Sequence, residues 1–236
     1  MSVVEFLTLV TRRQLIFRQF RGLERNDRAE GKIPDGFWET FERDAVAAGA
    51  TASEILETRR KAETSLERLR CFRYVSCWTM GTSENALLWQ VYAPQGIAVR
   101  TRVGKLRTAP LASAVADICI YSTGMEYADD WSELEAQGFQ HYGVVPNKLF
   151  LHTKRTLFAG ENEVRFYIDP PAVYELDETG APTADPDKAA LWYAIEFANL
   201  RWVEEIVADS SLPVWAAQTL AEFVQPLGLR FRQSGR

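Results

Sequence analysis

From Glu161 to Ile168 the sequence reads E-N-E-V-R-F-Y-I, with Glu161, Glu163, Arg165 and Tyr167 at every second position and Val164, Phe166 and Ile168 between them. A period of two belongs to a β-strand, so the apolar set faces a core and the polar set the opposite side. Two carboxylates on one strand face repel each other unless a cation or a proton is shared. Arg165 and the upstream Lys154 are the residues able to supply that compensation. The run is therefore either a wet strand face with weak cross-strand pairs or the wall of a functional site.

The surrounding pattern limits the fold further. T-A-S-E-I-L-E-T-R-R-K-A-E-T-S-L-E-R-L-R opens with Thr51 three residues before Glu54, a capping-box spacing, and Ile55, Ala62, Leu66 and Leu69 return to one helical face. Phe6, Leu7 and Val10 are spaced for a helix, whereas R-Q-L-I-F-R-Q-F-R-G fits a helix or a short strand. C-F-R-Y-V-S-C-W-T-M reads as a buried strand and S-E-N-A-L-L-W-Q-V-Y-A as a helix capped by Ser83. G-I-A-V-R-T-R-V and S-A-V-A-D-I-C-I-Y-S read as further strands.

Pro146, the near-helical spacing of Leu149, His152, Lys154 and Phe158, and the stop at Gly160 predict one helix over residues 146–159. Residues 169–188, with four prolines and several acids, form a loop excursion. L-R-W-V-E-E-I-V-A-D-S-S is a strand, L-P-V-W-A-A-Q-T-L-A-E-F-V-Q-P-L-G a helix with Leu220, Phe223 and Val224 inward, and L-R-F-R a last strand. Interspersed helices and strands without strict strand–helix repetition predict an α+β fold with a mixed or antiparallel sheet. The expected organisation is one domain over 1–236, with a helix-rich N-terminal lobe at 1–70 and a sheet-containing core at 71–236.

The chain has 236 residues, 47% of them hydrophobic and 12% aromatic, enough to bury a sizeable core. A net charge of -5 without a long basic run places nucleic acid below small molecules as a partner. No segment is apolar over a membrane-spanning length, and the basic pair follows the first apolar run, the reverse of a secretory signal. A cytoplasmic location without membrane attachment is expected. Cys71, Cys77 and Cys119, with His141 and His152 as the imidazoles, suggest neither a zinc site nor a disulfide framework, so no metal is expected. Cys77 reads as an inert buried thiol. There is no G-x-S-x-G, no H-E-x-x-H and no kinase signature, and M-G-T-S-E lacks the lysine of a phosphate loop.

Taken in chain order, D-R-A-E-G near residue 30, Y-V-S-C-W-T, L-L-W-Q-V-Y-A-P-Q-G-I-A-V-R and K-R-T-L-F-A-G-E-N-E-V-R-F-Y-I resemble the bacterial family named domain of unknown function twenty-nine seventy-one. That family's pattern ends in K-x-x-x-W-x-x-E-x-E-x-R. Lys154, Phe158, Glu161, Glu163 and Arg165 stand in those positions, with phenylalanine where tryptophan is usual. The loop around residue 30 also lacks the family's usual proline and phenylalanine, and the N-terminal lobe is longer. The resemblance implies a fold and the location of a site, and no reaction.

An E-x-E strand with an upstream arginine and serine, here Arg73 and Ser76, is similar in layout to ADP-ribosyltransferases. In that chemistry Glu163 stabilises a cationic ribose, Glu161 positions the acceptor, Lys154 or Arg73 holds the pyrophosphate, and Trp78 or Tyr92 stacks on nicotinamide, with Trp89 and Arg165 completing the site. The expected enzyme acts on NAD as a substrate, with no tightly bound cofactor, as a toxin or phage-defence effector does. The rival expectations are a non-catalytic module that binds a nucleotide or a protein partner, and a carboxylate-pair hydrolase dependent on a metal or a raised pKa.

Overall fold

A computed structural model describes residues 1–25, 27–113, 117–169 and 185–235. In chain order the elements are α1 (Val3–Arg12), β1 (Gln14–Gln19), α2 (Phe37–Ala47), α3 (Ala52–Phe72), β2 (Tyr74–Thr79), α4 (Ala86–Tyr92), β3 (Ile97–Arg100), α5 (Val103–Arg107), β4 (Tyr121–Gly124) and β5 (Glu126–Tyr127). They continue with α6 (Trp131–Ala136), α7 (Asn147–Phe150), β6 (Thr153–Lys154), β7 (Glu163–Ile168), β8 (Trp192–Glu196), β9 (Glu205–Ala208), α8 (Val214–Val224) and β10 (Phe231–Gln233). Short 3₁₀ segments follow β1 and β6. The fold is α+β, with antiparallel and parallel pairings both present. Among the described residues no helix is long and apolar enough to cross a membrane.

The chain divides into two compact units: Met1–Phe17 with Met80–Ser122 and Tyr193–Arg236, and Arg18–Thr79 with Thr123–Trp192. The helix-rich first seventy residues are thus shared between them. In the first unit, β9 pairs antiparallel with β3 and parallel with β10. Trp89 on α4 packs with Ala93 and Val207, and its indole donates to Glu84 at 3.1 Å.

The second unit holds the alternating strand. β7 pairs antiparallel with β2 along its whole length, from Glu163 opposite Thr79 to Ile168 opposite Tyr74, and Arg18 and Gln19 of β1 lie opposite Val75 and Tyr74. The capping box predicted for α3 is present, with Thr51 and Glu54 each accepting from the other's backbone N–H. Phe37, Phe41, Leu66, Trp131 and Phe150 form an apolar cluster that Val75 joins from β2, and Phe37 meets Trp131 and Phe150 edge-on at 4.8 and 5.2 Å.

Several expectations are corrected. No single helix covers residues 146–159: α7 ends at Phe150, β6 follows, and a 3₁₀ segment runs from Thr156 to Glu161, closed by Asn162 at φ 44° rather than by Gly160. The near-helical spacing yields to tertiary pairing, because Thr153 and Lys154 lie opposite Glu126 and Tyr127 of β5. Asn85, not Ser83, caps α4, its side chain accepting from the Leu87 N–H. The strand expected over residues 113–122 begins only at Tyr121, and residues 114–116 lie outside the described residues. Leu7 and Phe223 face outward while Leu9 is buried, and β8 was not expected. Of the loop excursion, 170–184 lies outside the described residues, and Pro186–Lys188 is a 3₁₀ turn.

Gly31 sits at φ 69°, and a Cβ there would run into the Phe20 ring. Gly31→Ala should lower stability by about 1 to 3 kcal/mol, read as a reduced urea midpoint with an unchanged slope.

Candidate functional site

The polar face of β7 is dry. Glu163 and Arg165 are buried, and Tyr167 packs against the aromatic cluster, so the strand is covered on both sides. A buried ion is stable only when its charge and hydrogen bonds are answered. The Arg165 Nε donates to Glu163 Oε1 at 2.6 Å, one terminal nitrogen donates to the Leu151 carbonyl at 3.1 Å, and the other pairs with Glu30. The guanidinium also lies over the Phe20 ring, 5.2 Å from its centroid. Burial pushes Arg165 down to about 9, which still leaves it cationic at neutral pH between its two carboxylates.

Lys154 continues the network. Its Nζ donates to Glu163 Oε2 at 2.9 Å and to Glu161 Oε2 at 2.6 Å, and lies 4.7 Å from the Phe158 ring centroid. Burial alone would lower the ammonium, but the charges and hydrogen bonds of Glu163 and Glu161 outweigh it and raise its pKa. Three carboxylates, Glu30, Glu161 and Glu163, thus share two cations, Arg165 and Lys154, leaving one formal negative charge in excess. Next to Glu30 in sequence, Asp27 is buried and pairs with Arg155 at 2.8 Å.

The network has a direction. Side-chain exposure rises from 1% at Arg165 and 3% at Glu30 through 4% at Glu163 and 7% at Lys154 to 15% at Glu161. Tyr127 borders the wetter end, where its hydroxyl oxygen accepts the Glu163 N–H at 2.8 Å. Cys77 lies opposite Arg165 on β2 and is exposed rather than buried. The surrounding protein and the Glu163 charge nevertheless hold its thiol well above its ordinary pKa, so it is not an activated nucleophile.

Lys154, Glu161, Glu163 and Arg165 are therefore brought together; the other expected residues are placed elsewhere. Arg73 caps α3, donates to Asp169 through two hydrogen bonds at 2.8 and 2.7 Å, and stacks over Tyr167 at 4.4 Å. That is beyond the opposite end of the β2–β7 ladder from Glu163, about 20 Å away at the usual rise per residue. Ser76 and Trp78 share the other sheet face, where the Trp78 indole donates to the Ser76 hydroxyl at 2.9 Å and meets Phe166 edge-on. Trp89, buried, and Tyr92, half exposed, belong to the first unit.

Sequence reasoning missed Tyr127 and singled out the loop holding Asp27 and Glu30 only through its resemblance. The signal for the loop was D-R-A-E-G itself: two acids beside a glycine that the Phe20 ring leaves no room to replace. A groove of about 590 Å³ is lined by residues of the 31–42 segment and of α3. Its arginines are already paired, Arg59 with Glu63 while stacked on Trp38, and Arg70 with Glu24 and Glu67. Among the described residues no group of three or more His, Cys, Asp or Glu side chains is arranged to hold a metal ion. No family model, curated protein or solved structure matches the chain.

Two outcomes follow from these charges. Removing one partner of a buried pair strands the other, so Glu30→Gln or Arg165→Met alone should each cost about 3 to 5 kcal/mol, and the double variant Glu30→Leu with Arg165→Met markedly less than the sum, measured by denaturant unfolding. His152, beside the Tyr167 ring, has its pKa lowered from 6.5 to about 4 by burial and by the Arg73 charge. The unfolded chain therefore takes up this proton first, and the stability contributed by neutral His152 is complete above pH 6.5 and lost as the pH falls toward 4. His152→Phe should flatten the melting temperature profile across that window.

Proposed function

We propose that the protein is an enzyme that cleaves NAD or a related nucleotide at its base–ribose bond, or transfers the ADP-ribosyl group, with Glu161 as the carboxylate at the reacting centre. The observation that carries this reading is the shared lysine: Lys154 bridges two carboxylates, one locked and one at the wetter end. Both oxygens of Glu163 are engaged, by Arg165 and by Lys154, which suits it to positioning Lys154 rather than to touching a substrate. That moves to Glu161 the place at the ribose that the sequence suggested for Glu163, beside the acceptor role Glu161 already had, and leaves Glu163 a positioning residue.

In the proposed reaction the bond between the nicotinamide nitrogen and the ribose carbon breaks, and its electron pair leaves with nicotinamide, which becomes neutral. The ribose carbon gains positive charge, and the network's excess negative charge opposes that build-up. Water or an acceptor nucleophile then bonds to the carbon and gives its proton to the Glu161 carboxylate. On this reading the protein is a cytoplasmic toxin or phage-defence effector, and the resemblance supports a bacterial source.

A second reading has its own support. Lys154 and Arg165 are both engaged by carboxylates and Arg73 by Asp169, so the cations expected to hold a pyrophosphate are already committed, which suits a non-catalytic nucleotide- or protein-binding module. Incubation of the wild type, Glu161→Gln and Glu163→Gln with NAD and a bacterial lysate, with nicotinamide and modified protein quantified by mass spectrometry, separates the two. Release by the wild type that falls about 100-fold or more in Glu161→Gln is expected for the enzyme. Absence of release, with NAD still raising the melting temperature, assigns the site to binding; absence of both retires the nucleotide reading.

A further inference from the structure

We infer that Tyr127 is a substrate-binding residue that donates its hydroxyl proton to the ribose hydroxyl adjacent to the glycosidic carbon, making the site selective for an intact ribose. The inference rests on the reading given under Proposed function and names the part of the nucleotide that the site recognises.

The Tyr127 oxygen already has a fixed task as an acceptor, because the Glu163 N–H donates to it at 2.8 Å. A phenol also carries a proton to donate, and among the described residues no acceptor receives it. The side chain is partly buried at the wetter end of the network, close enough to sense the charges of Glu163, Lys154 and Glu161. Burial raises its pKa, so the donor is retained at neutral pH.

The hydroxyl is also held in place by the backbone. Tyr127 lies directly opposite Lys154 in the parallel β5–β6 pair, flanked by hydrogen bonds from the Glu126 N–H to the His152 carbonyl at 2.9 Å and from the Ala128 N–H to the Lys154 carbonyl at 3.0 Å. The Met125 N–H joins the same segment to the Glu163 carbonyl at 3.2 Å, and the Gln137 amide donates to the Tyr127 carbonyl at 3.1 Å. Three segments of chain thus fix the phenol against the lysine and the two acids, and a group so held loses little entropy when it binds.

The chemistry of the pair identifies its ligand. A sugar hydroxyl both donates and accepts: the Glu161 carboxylate can take its proton while Tyr127 donates to its oxygen. A phosphate only accepts, and would meet the excess negative charge of Glu30, Glu161 and Glu163. A neutral donor beside an anionic acceptor therefore fits a ribose hydroxyl and disfavours phosphate at this end of the network.

The test is calorimetric binding of NAD, and of the NAD analogue with hydrogen in place of that hydroxyl, to the wild type and to Tyr127→Phe, with melting temperatures recorded for both proteins. The expected result is that the wild type binds the analogue about tenfold more weakly than NAD, and that this ratio narrows in Tyr127→Phe, where only the hydrogen bond to Glu161 still distinguishes the two ligands. The ligand substitution needs no variant, so equal wild-type affinity for the two ligands overturns the inference even if Tyr127→Phe does not fold. Equal losses for both ligands in a folded Tyr127→Phe overturn it too, and in either case nicotinamide release by the wild type leaves the reading it rests on standing. Failure of the wild type to bind NAD overturns both.

Discussion

Arg165 is an ion with almost no contact with solvent, and the second unit is arranged around keeping it charged. Taking a guanidinium out of water costs several kcal/mol, which is recovered only where each nitrogen finds an acceptor. Here the acceptors come from three places far apart in the chain: Glu163 on the same strand, the Leu151 carbonyl at the end of α7, and Glu30 in the turn that Gly31 and Phe20 shape. A chain that misplaced any of the three would bury an unanswered charge, so the network penalises alternative packings as strongly as it supports this one. Hydrophobic side chains of similar volume could fill the same space without that penalty, and an ionic core therefore suggests selection for something besides stability.

What could be read from the sequence was what local geometry decides. The period of two in β7 and the capping box of α3 each involve residues a few positions apart, and both are present as expected. The dryness of the polar face of β7 was not legible, because it depends on a loop whose glutamate lies 135 positions away from Arg165. The misread helix over 146–159 has the same origin: Leu149, His152 and Lys154 are spaced as on a helix, but Lys154 is drawn into strand pairing with β5 and into ion pairs with Glu161 and Glu163. Tyr127 carried no signal, since an isolated tyrosine in a polar stretch has no period and its partner is a backbone N–H.

The clustering of Lys154, Glu161, Glu163 and Arg165 was legible as a possibility, because one strand face was already in view. Their companions were not. Arg73 stands in the same chain order as an ADP-ribosyltransferase arginine, yet it belongs to the end of the ladder where Asp169 and Tyr167 hold it. Ser76 and Trp78 differ from Cys77 by one position, and that single step carries them to the other face of the sheet. Spacing along a sequence fixes the face of a strand, but not which end of a ladder its neighbours occupy.

The gradient of exposure along the network bears on how such a site can work. A catalytic carboxylate has to meet solvent and substrate, yet must not drift or change its protonation as the substrate arrives. At Glu161, the carboxylate proposed to react, these demands are met separately: it is the most exposed member of the network, while its partner Lys154 is fixed by Glu163, itself fixed by the buried Arg165 and Glu30. Each step inward lowers the local polarisability and strengthens the next pair. Rigidity is thus generated where water is excluded and transmitted through charges to Glu161, the member of the network that water reaches most, an arrangement in which the electrostatic field at Glu161 is set before any ligand binds.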